Sequence, residues 1–60
     1  MNKDIEDSLE HMVIHLRAIH DEVDAIGTQY KLSSIEVDSL EQINKNIKES
    51  IREIERLILG

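Results

Sequence analysis

Apolar residues recur along the first half of the chain at alternating steps of four and three, the heptad rhythm of a helix that buries one side. They are Ile5, Leu9, Met12, Leu16, Ile19, Val23 and Ile26. The second half repeats the rhythm with one polar member, at Val37, Leu40, Asn44, Ile47, Ile51, Ile54 and Ile58. The pattern predicts an all-α chain in which residues 1–60 form one domain of two amphipathic helices, over about 3–26 and 34–59.

The residues between the two stripes carry signals for the end of one helix and the start of the next. Gly27 directly follows the first stripe, and a left-handed glycine at this position ends many helices. Ser33 and Glu36 have the spacing of a capping box, with Leu32 and Val37 at the positions of a hydrophobic staple. A connector of about six residues makes the two helices antiparallel neighbours.

Antiparallel helices with a short connector must match their layers in reverse order. Seven pairs of stripe positions have residue numbers that sum to 63: 5 with 58, 9 with 54, 12 with 51, 16 with 47, 19 with 44, 23 with 40, and 26 with 37. One register therefore closes the whole hairpin, and it predicts Asn44 opposite Ile19.

Further apolar residues lie beside the two stripes, where a single pair of helices leaves them uncovered. Val13, Ile43 and Leu57 occupy flanking heptad positions, and Ala18 and Ala25 are small enough to admit a neighbour. Isoleucine recurs at the d positions, which in parallel coiled coils favours more than two strands. We expect two hairpins to associate as a homodimeric four-helix bundle, with both stripes and the three flanking residues in its core and interface.

Composition narrows the classes of function. The 60 residues include no Cys and no Pro, so neither a disulfide nor a thiolate metal site is available. With 13 acidic and 7 basic side chains the net charge is −6, which disfavours direct nucleic-acid binding. No apolar run has the length of a membrane span, and none follows the N-terminus as an export signal. We expect a cytoplasmic protein with no cofactor and with neither nucleic acid nor membrane as partner.

Two of the three histidines have a spacing that can hold a metal ion. His11 and His15 are four residues apart on one side of helix 1, and Asp4 and Glu22 lie along that same side. The competing interpretation is a pair of ordinary solvated histidines, because the glutamate of a zinc-protease helix is missing between them. His20 flanks the opposite side of the apolar stripe.

Surface charge and one aromatic residue indicate where a partner would bind. Residues 1–30 carry 7 acidic and 2 basic side chains, whereas residues 31–60 carry 6 and 5. An acidic side of helix 1 suits a basic partner, although a solvated face with intrahelical ion pairs is the alternative. Asn44 is interpreted as an interior amide that fixes register, the alternative being a contact to a partner. The candidate partner-binding residues are Glu10, Asp21, Asp24, Tyr30 and Gln42.

The connector and the start of helix 2 resemble a known family. Within residues 27–47, the segments Leu32-Ser33-Ser34 and Glu36-Val37, with Leu40, are similar to the small sporulation-regulatory aspartyl-phosphate phosphatases of bacilli, which are short acidic helical hairpins. Helix 2 of that family carries a Ser-Gln-x-Leu-Asp signature that acts on the phosphoaspartate of a response regulator. The matching residues here are Glu41-Gln42-Ile43-Asn44-Lys45, in which Gln42 matches and Lys45 replaces the signature aspartate.

The resemblance implies a hairpin that docks on a regulatory protein. No nucleophile stands beside a base that would activate it. We therefore expect a small non-enzymatic regulator or adaptor, of bacterial or phage type, that acts by protein–protein contact. Two alternatives stay open, namely an aspartyl-phosphate phosphatase acting on a response regulator and a helical bundle that binds metal through histidine.

Overall fold

The computed structural model describes residues 2–60, which form two α-helices, α1 (Lys3–Gln29) and α2 (Ser34–Leu59). The helices pack against each other as one hairpin, whose Cα trace measures 45 × 16 × 10 Å along its principal axes. The all-α class and the packing of two helices predicted from the paired stripes are confirmed. Neither helix within residues 2–60 has a stretch both long and apolar enough to traverse a bilayer.

The N-terminus of α2 is fixed by the predicted capping box. Ser33 Oγ accepts a hydrogen bond from the Glu36 N–H at 3.2 Å, and Glu36 Oε1 accepts one from the Ser33 N–H at 2.9 Å. Each bond satisfies a backbone donor near the helix start that has no partner within the helix. These bonds hold the pKa of the Glu36 carboxyl below its usual value, because the Ser33 backbone and then its side chain stabilise the charged form.

The C-terminus of α1 differs from the prediction. A left-handed Gly27 was expected to end the helix after Ile26, but α1 continues through Gly27 to Gln29, and no described glycine has positive φ. Two hydrogen bonds are made at this end of α1. The Tyr30 N–H donates to the Ile26 carbonyl at 3.2 Å, and the Thr28 hydroxyl donates to the Ala25 carbonyl at 3.0 Å. The connector is therefore only Tyr30 to Ser33, four residues rather than six.

The contact between the helices buries a narrow strip of each. Within residues 2–60 only Ile47 and Ile54 are buried, at 8% and 7% exposure. On α2 the remaining strip follows the predicted stripe at Leu40, Asn44, Ile51 and Ile58, which are half-buried. On α1 the strip is rotated by about one residue from the predicted stripe, and its half-buried members are Glu6, Leu9, Val13, Leu16, His20 and Val23.

This turn has a physical cause in the width of the apolar surface of α1. That surface extends from Val13 at one edge to Ile26 at the other, which is wider than one neighbouring helix covers. The edge that contains Val13 packs against α2, and the opposite edge stays exposed to solvent. Val13 is therefore part of the hairpin interior, whereas Met12 and Ile19, which the sequence placed in the seam, are exposed.

We predict that Gly27→Ala stabilises the hairpin. Gly27 is inside α1, and a Cβ built there meets no atom within 4 Å. Alanine in a helix interior is more stable than glycine by about 0.5–1 kcal/mol, so urea unfolding should shift upward by that amount. If Gly27 were left-handed, the same substitution would lower stability instead.

We also predict a specific acid sensitivity of the cap of α2. The pKa of Glu36 is lowered from 4.5, so its stabilising effect is complete above that pH and is lost as the pH falls through the lower folded-state pKa. Glu36→Gln preserves the capping-box geometry without the charge. Denaturant unfolding from pH 7 to pH 2.5 should show wild type more stable at neutral pH and the difference narrowing below 4.5. A difference unchanged down to pH 2.5 would contradict this assignment.

Candidate functional site

One side of the hairpin carries a continuous set of exposed apolar side chains, which we call the apolar face. Its α1 members are seven residues apart, so they follow one line along the helix. On α2, Ile43 and Leu57 flank Ser50 at the same step, and Ser50 lines a groove together with Met12, so the two lines share one side. Its six members, each 39–55% exposed, are Ile5, Met12, Ile19, Ile26, Ile43 and Leu57.

The other side of the hairpin is charged. On α1 the charged residues Arg17, Asp21 and Asp24 are spaced four and three residues apart. They lie on the opposite side of the buried strip from Ile19. On α2 the charged residues line two grooves shared with α1, the larger of about 930 Å³. Arg17 and Glu55 form the interhelical ion pair found within residues 2–60, with Nη2 and Oε2 3.4 Å apart. This charged face comprises Arg17, Asp21 and Asp24 from α1 and Lys45, Lys48, Arg52 and Glu55 from α2.

A polar cluster joins the two helices between the buried strip and the charged face. His20 is half-buried, and its Nδ1 lies 3.4 Å from Asp24 Oδ2 and 4.0 Å from Asp21 Oδ1. From α2, Asn44 Nδ2 donates to Asp24 Oδ1 at 2.9 Å and to the His20 carbonyl at 3.5 Å. Asn44 thus meets His20 rather than the predicted Ile19, as the turn of α1 requires.

Two atoms of this polar cluster are left without a hydrogen-bond partner. His20 Nε2 and Asn44 Oδ1 are both buried, and neither contacts a complementary protein group. An unsatisfied buried polar atom costs on the order of 1–3 kcal/mol. The polar cluster therefore weakens the hairpin interior at this level.

The predicted partner-binding residues are distributed over different surfaces. Glu10, Asp21 and Asp24 all line grooves on one side of α1. Gln42 is exposed on α2, where its amide donates to Asn46 Oδ1 at 3.1 Å. Tyr30 is exposed in the connector, beyond the last turn of α1. The structure therefore gathers the three acids but not Gln42 or Tyr30, and all five roles in partner binding stay predictions.

Basic residues of α2 face this acidic side of α1. Lys48 and Arg52 line the same groove as Asp21, and Lys45 lines the groove that contains Asp24. The acidic side chains closest to α2 therefore have positive charges across the groove from them. A basic partner would compete with these residues, which reduces the attraction that the net charge suggests.

The metal-ligating group that the structure assembles is not the one expected from the sequence. His11 and His15 are both exposed on α1, and among residues 2–60 the group of three possible ligands within reach is His20, Asp21 and Asp24. The signal was present as an i, i+4 pairing of histidine and aspartate. His20 was placed on the opposite side of the apolar stripe from His11 and His15, and it was not paired with Asp24.

Comparison with known proteins finds no matching family model, curated protein or solved structure. The resemblance to the sporulation phosphatases, and the activity it implies, therefore stay predictions. In the structure the five signature positions wind around α2: Gln42 is exposed, Asn44 is half-buried, and Lys45 lines the charged face.

We predict that Asn44→Leu raises stability. The substitution removes the buried, unpartnered Oδ1 and extends the apolar strip between Leu40 and Ile47. Denaturant unfolding at one fixed chain concentration should show a gain of about 1–2 kcal/mol. Gln42→Leu, on the exposed side of the same helix, is the control and should change stability by less than about 0.5 kcal/mol. A loss of stability in Asn44→Leu would show that the amide stabilises the hairpin.

Proposed function

We propose that two copies of this hairpin associate through their apolar faces into a four-helix bundle, and that the bundle acts as a small non-enzymatic regulator or adaptor. The observation that supports the proposal is the apolar face itself. Within residues 2–60, six large apolar side chains on one side of the hairpin are 39–55% exposed, while Ile47 and Ile54 alone are buried. Isolated apolar side chains are common on protein surfaces, but contiguous apolar patches mark interaction sites.

Surface area supports a partner of a definite size. The hairpin exposes 4857 Å², whereas a folded monomer of 6.9 kDa is expected to expose about 4,000 Å². The surplus of about 900 Å² is close to the roughly 800 Å² that each partner buries in a standard protein–protein interface. The hairpin therefore has enough surplus surface for one interface of standard size.

A second copy fits this surface better than an unrelated helix. On α1 the apolar face repeats every seven residues, and on α2 Ile43 and Leu57 lie two such steps apart, so a copy presents side chains with a matching period. Twofold pairing covers both apolar faces at once and leaves no uncovered copy to continue the assembly. It also turns both charged faces outward, where the net charge of −6 per chain remains hydrated.

The regulatory part of the proposal rests on what the bundle would expose. Its outer surfaces would carry two copies of the charged face and of the Tyr30 connector, and tyrosine is enriched where binding energy concentrates in interfaces. These surfaces suit contact with another protein, and we infer that this partner is a regulatory protein. Lys45, Lys48 and Arg52 beside Asp21 and Asp24 offer it charges of both signs.

We predict that Ile19→Glu separates the bundle into single chains. Ile19 lies in the middle of the apolar face, and the symmetric dimer would bury two copies of it. Because Ile19 is 46% exposed in the hairpin, losing both copies costs about 1.5–3 kcal/mol of apolar burial, so association should weaken by at least about 10-fold. Sedimentation equilibrium across a range of chain concentrations measures this change, with circular dichroism reporting the accompanying loss of helix.

Ile14→Glu is the matched control for this experiment. Ile14 is on the same helix and is 62% exposed, but it lies outside the apolar face and lines a groove with Arg17 and Glu55. This variant should remain dimeric. A wild-type chain that is monomeric and fully folded at micromolar concentration, or equal dissociation of both variants, would overturn the proposed assembly.

A further inference from the structure

We propose that His20, Asp21 and Asp24 bind a divalent transition-metal ion such as Zn²⁺, with one ion per chain. The three ligand atoms all lie within 4.8 Å of one another. In a tetrahedral site with bonds of about 2.0–2.2 Å, adjacent ligand atoms are about 3.3–3.5 Å apart. The separation of 3.4 Å between His20 Nδ1 and Asp24 Oδ2 already has this value. Asp21, at 4.0 Å, is an exposed side chain that needs only a small rotation.

Asn44 holds the central carboxylate in the orientation that such a site requires. Its Nδ2 donates to Asp24 Oδ1 at 2.9 Å, which leaves Oδ2, the oxygen nearer to His20 Nδ1, free to bind an ion. Carboxylates that bind metals are commonly oriented by a hydrogen bond of this kind. Because the donor comes from α2, the ligands on α1 are positioned by the packing of the hairpin and not by one helix alone.

The two unpartnered buried atoms are compatible with an ion on His20 Nδ1. An ion on His20 Nδ1 confines the ring proton to Nε2, which then becomes a hydrogen-bond donor. The other buried orphan is an acceptor, Asn44 Oδ1, on the residue that already touches the His20 backbone. The two atoms do not hydrogen-bond to each other in the structure, so a bond between them requires a small adjustment that brings the Nε2–H of the metal-bound ring to Asn44 Oδ1. Metal-ligating histidines regularly donate their second N–H in this way.

The donor set indicates the class of ion. One imidazole nitrogen and two carboxylate oxygens suit Zn²⁺ or Co²⁺ and do not suit a soft ion such as Cu⁺. Three protein ligands leave a further position for water. Lys48 and Arg52 line the groove beside Asp21 and oppose the approach of a cation, so we expect micromolar rather than nanomolar affinity.

This inference does not rest on the proposed assembly. The three ligands lie on the opposite side of the hairpin from the apolar face, so single chains and dimers should bind with the same stoichiometry. Failure of metal binding would leave the assembly untouched, and a monomeric chain could still bind the ion.

The test is calorimetric titration of the full chain with ZnCl₂, repeated by Co²⁺ absorption spectroscopy. Asp24→Asn removes one ligand with little change of shape, and Asn44→Ala removes the residue that orients it. Each should weaken binding by at least about 10-fold, while circular dichroism confirms that both variants stay helical. The control is the double variant His11→Asn, His15→Asn, which should bind with unchanged affinity.

The double variant also leaves a single imidazole in the chain, which allows a direct readout of the ligand. Nitrogen NMR of that variant should show His20 with metal on Nδ1 and the proton on Nε2 once Zn²⁺ is added. The absence of binding at millimolar Zn²⁺, or binding that survives Asp24→Asn but is lost in the double variant, would overturn the assignment.

Discussion

A helix that packs against one neighbour can bury only one strip of its surface, and the rest of this structure follows from that constraint. The apolar surface of α1 is wider than such a strip. When Val13 and Leu16 turn towards α2, Met12 and Ile19 must lie outside. The resulting hairpin has a thin interior, in which Ile47 and Ile54 are the buried residues of the described range 2–60, and a broad apolar face that the chain cannot cover by itself.

The same turn of α1 produces the polar cluster. Bringing the Val13 edge inward places His20, rather than Ile19, at the level of Asn44. The histidine side chain is then 20% exposed beside two carboxylates, and one of its nitrogens is sealed from solvent. The apolar face and the polar cluster therefore both result from the packing of the Val13 edge of α1 against α2. A change that rotated α1 back by one residue would remove both.

The parts of the fold that local chemistry decides could be read from the sequence. The capping box at Ser33 and Glu36 and the start of α2 depend on residues a few positions apart, and the structure has them as predicted. Of the stripe predicted for α2, Val37 is exposed, and the members from Leu40 to Ile58 are buried or half-buried. The sequence could not show which edge of the apolar surface of α1 packs against α2. Heptad spacing defines that surface as a whole, but not the residues within it that contact the second helix. Gly27 was also ambiguous, since glycine is permitted both inside a helix and just beyond it. In the structure Gly27 is helical, since α1 continues past it to Gln29.

The thin interior has a consequence for how such a chain would behave in a cell. A lone copy has little buried packing to oppose unfolding, because Ile47 and Ile54 are its buried residues within 2–60, and an unfolded chain is open to proteases. If two copies do assemble, the chain is stabilised by dimerisation, and the rate of dimerisation increases with the square of the chain concentration. The quantity of working protein would then respond steeply to its rate of synthesis, giving the molecule a built-in threshold.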